Sequence, residues 1–266
     1  MPPRNAPGSR PDLPRPRAMR TDAAAAVGPP GSRRLSLAVV VATDSDGDRL
    51  AATLSPLRSA PRRGIDLELL VVDGTGSPAV RAAAEAAGGR ILPVAGSRGA
   101  RFAAGAKAAV AEWLLLLRPG TVLEPGWDAT LMVFAHEARN RERGAVYTYR
   151  AEGDAAEGER ARGRGAGARW AERAVRFRNR WLGLPSGAQG LVIRRRFLVH
   201  IGGVPDLERG EDLVLARRLG LGRLALFDVA ARVRPATDTA AWLGGALRLL
   251  LFLLRVPPRW LQRLGD

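Results

Sequence analysis

The chain has 266 residues, 46% of them hydrophobic, so it is long enough to bury a substantial core. It contains no cysteine, which excludes disulfides, thiolate metal sites and cysteine nucleophiles and is compatible with a cytoplasmic location. The net charge of +16 rests almost wholly on arginine, and with 5% aromatic residues the sequence does not predict a base-stacking nucleic-acid surface.

Residues 1–34 form a basic tail. They carry six prolines before Pro29-Pro30, and seven arginines against two aspartates. Because most of their apolar side chains are alanine, they cannot bury enough surface to offset the entropy lost on ordering. They also lack the apolar core of a signal peptide. We therefore predict a disordered tail before a folded domain over 35–235.

Strand-like and helix-like segments alternate from Leu35 onward. The predicted strands of this first half lie at 35–43, 67–74, 90–95 and 113–118, and the predicted helices at 48–58, 78–87 and 98–111. Alternation at this interval predicts an α/β domain whose parallel sheet has right-handed crossovers. A nucleotide-binding domain is the usual interpretation of such a pattern.

The second half is less regular. A strand over 144–150 precedes a loop over 151–169 that is rich in glycine and charge, and a helix follows over 170–182. The last elements are a helix over 211–220 and a strand over 223–228.

Charged residues stand at the ends of two buried strands. Asp73 ends the second strand before a glycine turn, where it could bind a ribose or a uracil N–H or serve as an ordinary turn residue. Arg118 follows the run of four leucines, at the sheet edge where open α/β folds bind ligands. By contrast, His136 and His200 have no partner at ligand spacing, and we interpret both as structural.

Two adjacent acids, Glu211 and Asp212, open a predicted helix. Acids in the first turn complement the helix dipole, and this purpose alone would explain them. A carboxylate that faces a cleft could instead act as a general base. Periodicity does not distinguish the two.

Several segments, taken in order, resemble family 2 glycosyltransferases, and most closely the small bacterial subgroup that includes arsenosugar-biosynthesis glycosyltransferases. The resemblance covers about 35–235 and rests on "VVDGTGS", "SRGARFAAGA", "WLLLLRPGTVLEPGW", "GLPSGAQGLVIRR" and "IGGVPDLERGEDLVLARRL". It implies a GT-A fold, a mostly parallel sheet flanked by helices. It also implies a nucleotide-sugar donor, usually UDP-linked, a divalent metal ion, and sugar transfer with inversion.

The resemblance also implies roles for single residues. Those at the donor nucleotide would be Thr43, Asp44, Asp73, Arg98 and Gly99. Gln189 and Gly190 would shape the sugar and acceptor site. Glu211 and Asp212 match the family's acidic pair, in which the aspartate is the expected general base.

The sequence departs from the family at three polar positions. The acidic metal motif after the fourth strand is replaced by Arg118-Pro119-Gly120, which puts a Mg²⁺ or Mn²⁺ ion in doubt. The usual asparagine of the third helix is Ala103, and an aspartate is replaced by Ala188. Arg118 is then either a fixed cation that replaces the metal at the diphosphate, or a solvated residue in a degenerate homologue.

Residues 236–266 are predicted to contain an amphipathic helix. The apolar run within 241–264 spans about 14 residues, fewer than the roughly 20 that a membrane-spanning helix needs. Arginines together with Trp242 and Trp260 favour a helix lying on the inner face of the cell membrane, which would suit a lipid-like acceptor. Packing of this helix on the domain is the alternative.

Three functions therefore stay open. The first is transfer of a sugar from a nucleotide-sugar donor. The second is a catalytically degenerate homologue that binds a nucleotide or a partner protein. The third is a basic protein that binds membranes or nucleic acid without sugar chemistry, with nucleic acid the less expected partner.

Overall fold

The computed structural model describes residues 18–19, 34–44, 47–152 and 187–233. The predicted helix over 170–182, the C-terminal helix, and most of the tail and of the loop over 151–169 lie outside these residues. Within the described part, no helix combines the length and the apolar character needed to cross a membrane.

Nine strands and six α-helices are described. The strands are β1 (Ala18–Met19), β2 (Leu35–Thr43), β3 (Ile65–Asp73), β4 (Arg90–Pro93), β5 (Trp113–Leu117), β6 (Thr121–Leu123), β7 (Gly144–Ala151), β8 (Leu191–Arg194) and β9 (Leu224–Val233). The helices are α1 (Gly47–Leu54), α2 (Pro78–Ala86), α3 (Arg98–Ala108), α4 (Trp127–His136), α5 (Arg195–His200) and α6 (Glu211–Leu219).

The strands form one mixed sheet in the order β1-β9-β7-β8-β5-β2-β3-β4, with β6 paired to β9. The predicted parallel arrangement is confirmed for β2, β3, β4 and β5. Strand β8 runs antiparallel to both of its neighbours, β5 and β7, so the second half of the sheet is mixed. Strand β9 lies parallel to β7.

Helices cover both faces of the sheet, which explains why β2, β5 and the second half of β3 are almost continuously apolar. One face packs against α1, α2 and α4 through residues such as Leu50, Val80 and Phe134. The other face packs against α3, α5 and α6 through residues such as Phe102, Phe197 and Leu215.

The register of the parallel strands brings their carboxyl ends to one edge. Thr43 at the end of β2 lies beside Asp73 at the end of β3. Val41 lies beside Leu117, so Arg118 follows β5 at the same edge. The polar residues that the sequence places after these strands therefore share one side of the sheet.

Two contacts away from this edge involve the N-terminal tail and the two histidines. Ala18 and Met19, within the segment predicted to be disordered, pair with Leu226 and Phe227 of β9. The two histidines have local contacts consistent with structural roles: His136 Nδ1 lies 2.8 Å from a backbone carbonyl of its own helix, and His200 stacks on Phe197.

Candidate functional site

Glu211, the first residue of α6, lies at the centre of a group of charges and is 2% exposed. Its Oε1 and Oε2 accept hydrogen bonds from Nε and Nη2 of Arg98 at 2.8 and 3.0 Å. Its Oε1 also accepts one from Arg118 Nη2 at 2.7 Å. We call Arg98, Arg118, Glu211 and Asp212 the acid–arginine cluster. It joins the carboxyl end of β5 to the N-termini of α3 and α6.

The first turn of α3 fixes Arg98. Ser97 caps the helix, because its hydroxyl oxygen accepts a hydrogen bond from the Ala100 N–H at 3.0 Å, and the same hydroxyl pairs with Asp206. Burial alone would lower the pKa of the Arg98 guanidinium, but the hydrogen bonds and charge of Glu211 outweigh burial and raise that pKa above its ordinary value. Arg98 is therefore held as a permanent cation against Glu211.

Asp212 follows Glu211, and backbone N–H groups hold its carboxylate. Its Oδ2 accepts a hydrogen bond from the Gly187 N–H at 2.6 Å and lies 3.6 Å from Arg118 Nη2. Its side chain keeps 19% of its surface exposed, against 3% for Glu211. Of the two acids, Asp212 is thus the one that can meet a solvent-borne group.

Gly187 allows Arg118 to lie in this position. A Cβ at residue 187 would lie 2.2 Å from Nη2 of Arg118 and 2.8 Å from its Nε, which is closer than real Cβ atoms approach. The guanidinium therefore rests on bare backbone at Gly187. That close approach brings Arg118 and the N–H that binds Asp212 together.

The predicted acceptor residues lie just beyond Gly187. Gln189 is fully buried and its Nε2 donates a hydrogen bond to the Tyr147 carbonyl at 2.7 Å. Gly190 has φ 72°, and a Cβ there would lie 2.8 Å from Leu117 at the end of β5. These contacts give both residues a structural purpose, and their role at a sugar stays a prediction.

A small, mainly apolar cavity adjoins the cluster. It measures about 40 Å³, and Arg118, Glu211 and Asp212 line it together with apolar residues including Phe102 and Leu215. Such a volume admits a few water molecules and not a sugar ring.

The residues predicted at the nucleoside lie at the ends of the next two strands, β2 and β3. Thr43 is fully buried, and within the part of the chain that the structure describes its Oγ1 has no hydrogen-bond partner. Asp73 is 4% exposed, and its Oδ1 accepts hydrogen bonds from the N–H and hydroxyl of Thr75 at 2.9 and 3.0 Å. Asp73 therefore does stabilise the following turn, and its second oxygen is the one left to meet a ligand.

Sequence reasoning missed one residue of this edge, Arg101. Its side chain is 7% exposed, and its Nη2 lies 3.7 Å from Oδ2 of Asp44, whose own side chain is 66% exposed. Arg101 and its neighbour Phe102 are both among the buried residues of α3. We call Thr43, Asp44, Asp73 and Arg101 the strand-end group.

Gly99 serves the packing of α3. Its N–H donates to the Leu207 carbonyl at 3.0 Å, and a Cβ would lie 2.0 Å from the Pro205 carbonyl oxygen. The glycine thus lets the loop before α6 close over the start of α3. A contact between Gly99 and a nucleotide stays a prediction.

The described residues do not fit a divalent metal ion. Among them there is no group of three or more aspartate, glutamate, histidine or cysteine side chains that could hold one. Gly120 stands where the resemblance places the metal-binding aspartate, in the left-handed region at φ 86°. The Arg118 guanidinium, two residues earlier in the chain, lies against Glu211.

As a sequence, the chain matches no known family and no curated protein. Solved structures do resemble it. Mannosyl-3-phosphoglycerate synthase from Rubrobacter xylanophilus is 16% identical, with a TM-score of 0.57 over 83% of this chain and 74% of that one. Glucosyl-3-phosphoglycerate synthase from Mycobacterium tuberculosis, in complex with Mn²⁺ and UDP-glucose, is 19% identical, with a TM-score of 0.56 over 91% and 86%.

A third neighbour is the mannosyltransferase PcManGT from Pyrobaculum calidifontis in complex with GDP-mannose and Mn²⁺. It is 17% identical, with a TM-score of 0.60 over 87% of this chain and 67% of that one. The structural neighbours are glycosyltransferases, and the chain shares their GT-A fold, as the sequence predicted. At these identities the likeness establishes the fold alone.

Proposed function

We propose that this chain is a family 2 glycosyltransferase that takes a UDP-linked sugar and transfers it, with inversion, to an acceptor hydroxyl. In this proposal Arg118 is a fixed cation at the donor diphosphate and Asp212 is the general base. The arsenosugar-biosynthesis subgroup is the family branch that its motifs resemble most. The observation that carries the proposal is the guanidinium of Arg118 at the end of β5, in contact with Glu211 and 3.6 Å from Asp212.

The pairing of Glu211 supports a role for Arg118 at phosphate. Arg98 already gives Glu211 two hydrogen bonds, so this carboxylate stays neutralised if Arg118 turns toward a second anion. Arg118 Nε has no hydrogen-bond partner among the described residues, so this N–H is a donor that they leave unused. A guanidinium binds phosphate through charge-assisted, often bidentate hydrogen bonds.

The transfer step then has a simple course. The acceptor hydroxyl attacks the anomeric carbon from the face opposite the diphosphate, and its proton passes to a carboxylate oxygen of Asp212. As the new C–O bond forms, the bond between the anomeric carbon and the diphosphate oxygen breaks, and its electron pair leaves with UDP. The Arg118 guanidinium lies 3.6 Å from Asp212 in this structure, so it must turn away from Asp212, to the diphosphate side of the sugar, to stabilise the negative charge that develops on that oxygen.

The test separates binding from transfer. UDP release from a panel of UDP-sugars is measured with the intact chain and with Asp212→Asn, alongside calorimetric UDP binding. We expect the variant to bind UDP nearly as well and to lose at least 100-fold in release rate, in line with general-base catalysis. Asp66→Asn, at an exposed ion pair with Arg34, is the control and should retain full activity. Equal rates for both variants would contradict the role of Asp212.

A second function, nucleotide binding without transfer, is favoured by one observation. Oδ2 of Asp212 accepts a short hydrogen bond from the Gly187 N–H and lies near a guanidinium, so this oxygen is already engaged before an acceptor binds. UDP binding with no release from any sugar donor, even with varied acceptors, would support this alternative.

We further propose a lipid-like acceptor and peripheral attachment to the inner face of the membrane, because 241–264 combines arginines with Trp242 and Trp260. The full chain should sediment with vesicles that contain anionic lipid. Replacing both tryptophans by serine should weaken this binding. No sedimentation at low salt would contradict attachment.

A further inference from the structure

Arg118 is the first residue of a tight turn whose backbone conformation follows from its sequence. The Thr121 N–H donates to the Arg118 carbonyl at 3.1 Å, which closes a four-residue turn over 118–121. Its second residue is Pro119, and its third is Gly120 at φ 86°. Proline keeps φ negative, and a positive φ at the next residue then defines a type II turn. The backbone that carries the Arg118 side chain therefore has little conformational freedom.

Two buried threonine hydroxyls hold this turn against two other elements of the fold. Thr53 of α1 accepts a hydrogen bond from the Gly120 N–H at 2.8 Å and donates one to the Arg49 carbonyl at 3.0 Å. The Thr121 hydroxyl donates to the Ala188 carbonyl at 3.1 Å. Thr53 is 0% exposed and Thr121 is 1% exposed, so burial shields both hydroxyls from water. A buried hydrogen bond of this kind costs free energy when it is broken.

The contact of Thr121 links the two residues proposed to act on the donor and on the acceptor. Ala188 follows Gly187, whose N–H donates to the Asp212 carboxylate at 2.6 Å. The Arg118 guanidinium rests against the same glycine, where a Cβ would lie 2.2 Å from its Nη2. Movement of the turn relative to Gly187 would therefore change the distance between the proposed cation and the proposed base. Arginine has many rotamers, so fixing its backbone limits the positions that the guanidinium can take.

We infer that Thr53 and Thr121 are positioning residues, which act on the donor through Arg118 and do not touch the donor themselves. Their hydroxyl groups hold the turn, so that the guanidinium reaches the diphosphate by side-chain rotation alone. The inference rests on the proposed function, because it assumes that Arg118 binds the diphosphate of a nucleotide sugar. Small misplacements of a group that binds the reacting atoms are costly, which gives the two hydroxyls their effect.

The experiment is a double-mutant cycle on UDP affinity, measured by calorimetry. Thr121→Val removes the hydroxyl, keeps the shape of the side chain, and should weaken UDP binding by about 3- to 10-fold, as for one hydrogen bond. Thr53→Val should have a smaller effect, because the Gly120 N–H keeps the Arg49 carbonyl at 3.2 Å. Thr121→Ser retains the hydroxyl and should restore most of the affinity. In an Arg118→Ala chain, neither valine substitution should weaken binding further.

Thr130→Val is the matched control. Thr130 is 1% exposed, as Thr121 is, but its hydroxyl has no hydrogen-bond partner within the described part of the chain. Its replacement should leave UDP affinity unchanged. Urea denaturation shows whether each variant is folded, and Thr53→Val carries the same test if Thr121→Val does not fold.

The outcomes separate this inference from the proposed function. A folded Thr121→Val that binds UDP as the intact chain does would overturn the inference alone. So would a loss of affinity that is equally large in the Arg118→Ala chain, because that result indicates a general structural defect. If the intact chain binds no UDP, or if Arg118→Ala binds it unchanged, the proposed role of Arg118 is wrong, and this inference is wrong with it.

Discussion

Two groups of charges lie on one edge of the same sheet and are paired differently. In the acid–arginine cluster, both carboxylates accept hydrogen bonds, and Glu211 alone accepts three. In the strand-end group, the Thr43 hydroxyl and the Arg101 Nε are buried without partners among the described residues, and an ion pair joins Arg101 to the exposed Asp44. Among the described residues both groups keep one unpartnered guanidinium N–H, on Arg118 and on Arg101, but only the first pairs a buried carboxylate with two arginines.

The contrast has an energetic consequence. Removing one member of a buried, hydrogen-bonded ion pair leaves an uncompensated charge and is strongly destabilising. Removing a side chain that has few hydrogen-bond partners in the folded protein should lower the free energy of unfolding less, because fewer favourable contacts are lost. We therefore expect loss of the buried Glu211 to act first on folding, and substitutions in the strand-end group to act first on binding.

The largest effect is expected from Glu211→Ala. It strips two guanidinium groups of their shared acceptor, so the free energy of unfolding should fall by about 3–5 kcal/mol. Urea denaturation followed by circular dichroism measures it. Glu112→Ala is the control, because Glu112 pairs with Arg194 at 2.8 Å but is 53% exposed, and should cost at most about 1 kcal/mol. A similar loss in the free energy of unfolding for Glu211→Ala and Glu112→Ala would show that the buried cluster is no more important to stability than an exposed ion pair.

A smaller effect is expected from Gly187→Ala, which disturbs the cluster without removing a charge. The added methyl group would lie 2.2 Å from the Arg118 guanidinium and must displace it. UDP affinity should fall by about 10-fold, roughly the loss of one charge-assisted hydrogen bond. In the control, Gly222→Ala, the methyl group meets open space, and calorimetry should show unchanged binding. An unchanged affinity in Gly187→Ala would mean that UDP does not touch Arg118.

The smallest effect on stability is expected from Asp44→Asn. Its ion pair with Arg101 is long, at 3.7 Å, and Asp44 is 66% exposed, so unfolding should change by less than about 1 kcal/mol. UDP binding should nevertheless weaken, because the amide cannot replace both acceptor oxygens. A loss of stability as large as that of Glu211→Ala would show that the strand-end group is structural after all.

Much of the fold could be predicted because the signal is local. Strand β2 runs over the predicted residues, and α3 begins at Arg98 as predicted. Strand β6 was not predicted, because Thr121–Leu123 is only three residues long. Helix α4 was not predicted either. The antiparallel direction of β8 follows from tertiary pairing with β5 and β7, which periodicity does not reveal.

The site was less predictable, because its contacts are distant in sequence. Arg98 and Glu211 are 113 residues apart, and the residues around each of them do not indicate that the two side chains form a pair. Family resemblance named both residues, yet it gave no indication that Arg118 shares the same carboxylate oxygen. Arg101 was missed because an arginine in a helix is usually interpreted as solvent-exposed, and its burial depends on the space above Gly74.

The central claim is that a guanidinium, and not a metal ion, meets the donor diphosphate. The most direct measurement is UDP binding by calorimetry in EDTA and in Mn²⁺, for the intact chain, Arg118→Ala and Arg118→Lys. We predict equal affinity in EDTA and Mn²⁺, a loss of about 10- to 100-fold in Arg118→Ala, and partial recovery in Arg118→Lys, whose ammonium cannot bind in a bidentate manner. UDP binding that requires Mn²⁺, or that Arg118→Ala leaves unchanged, would contradict the claim.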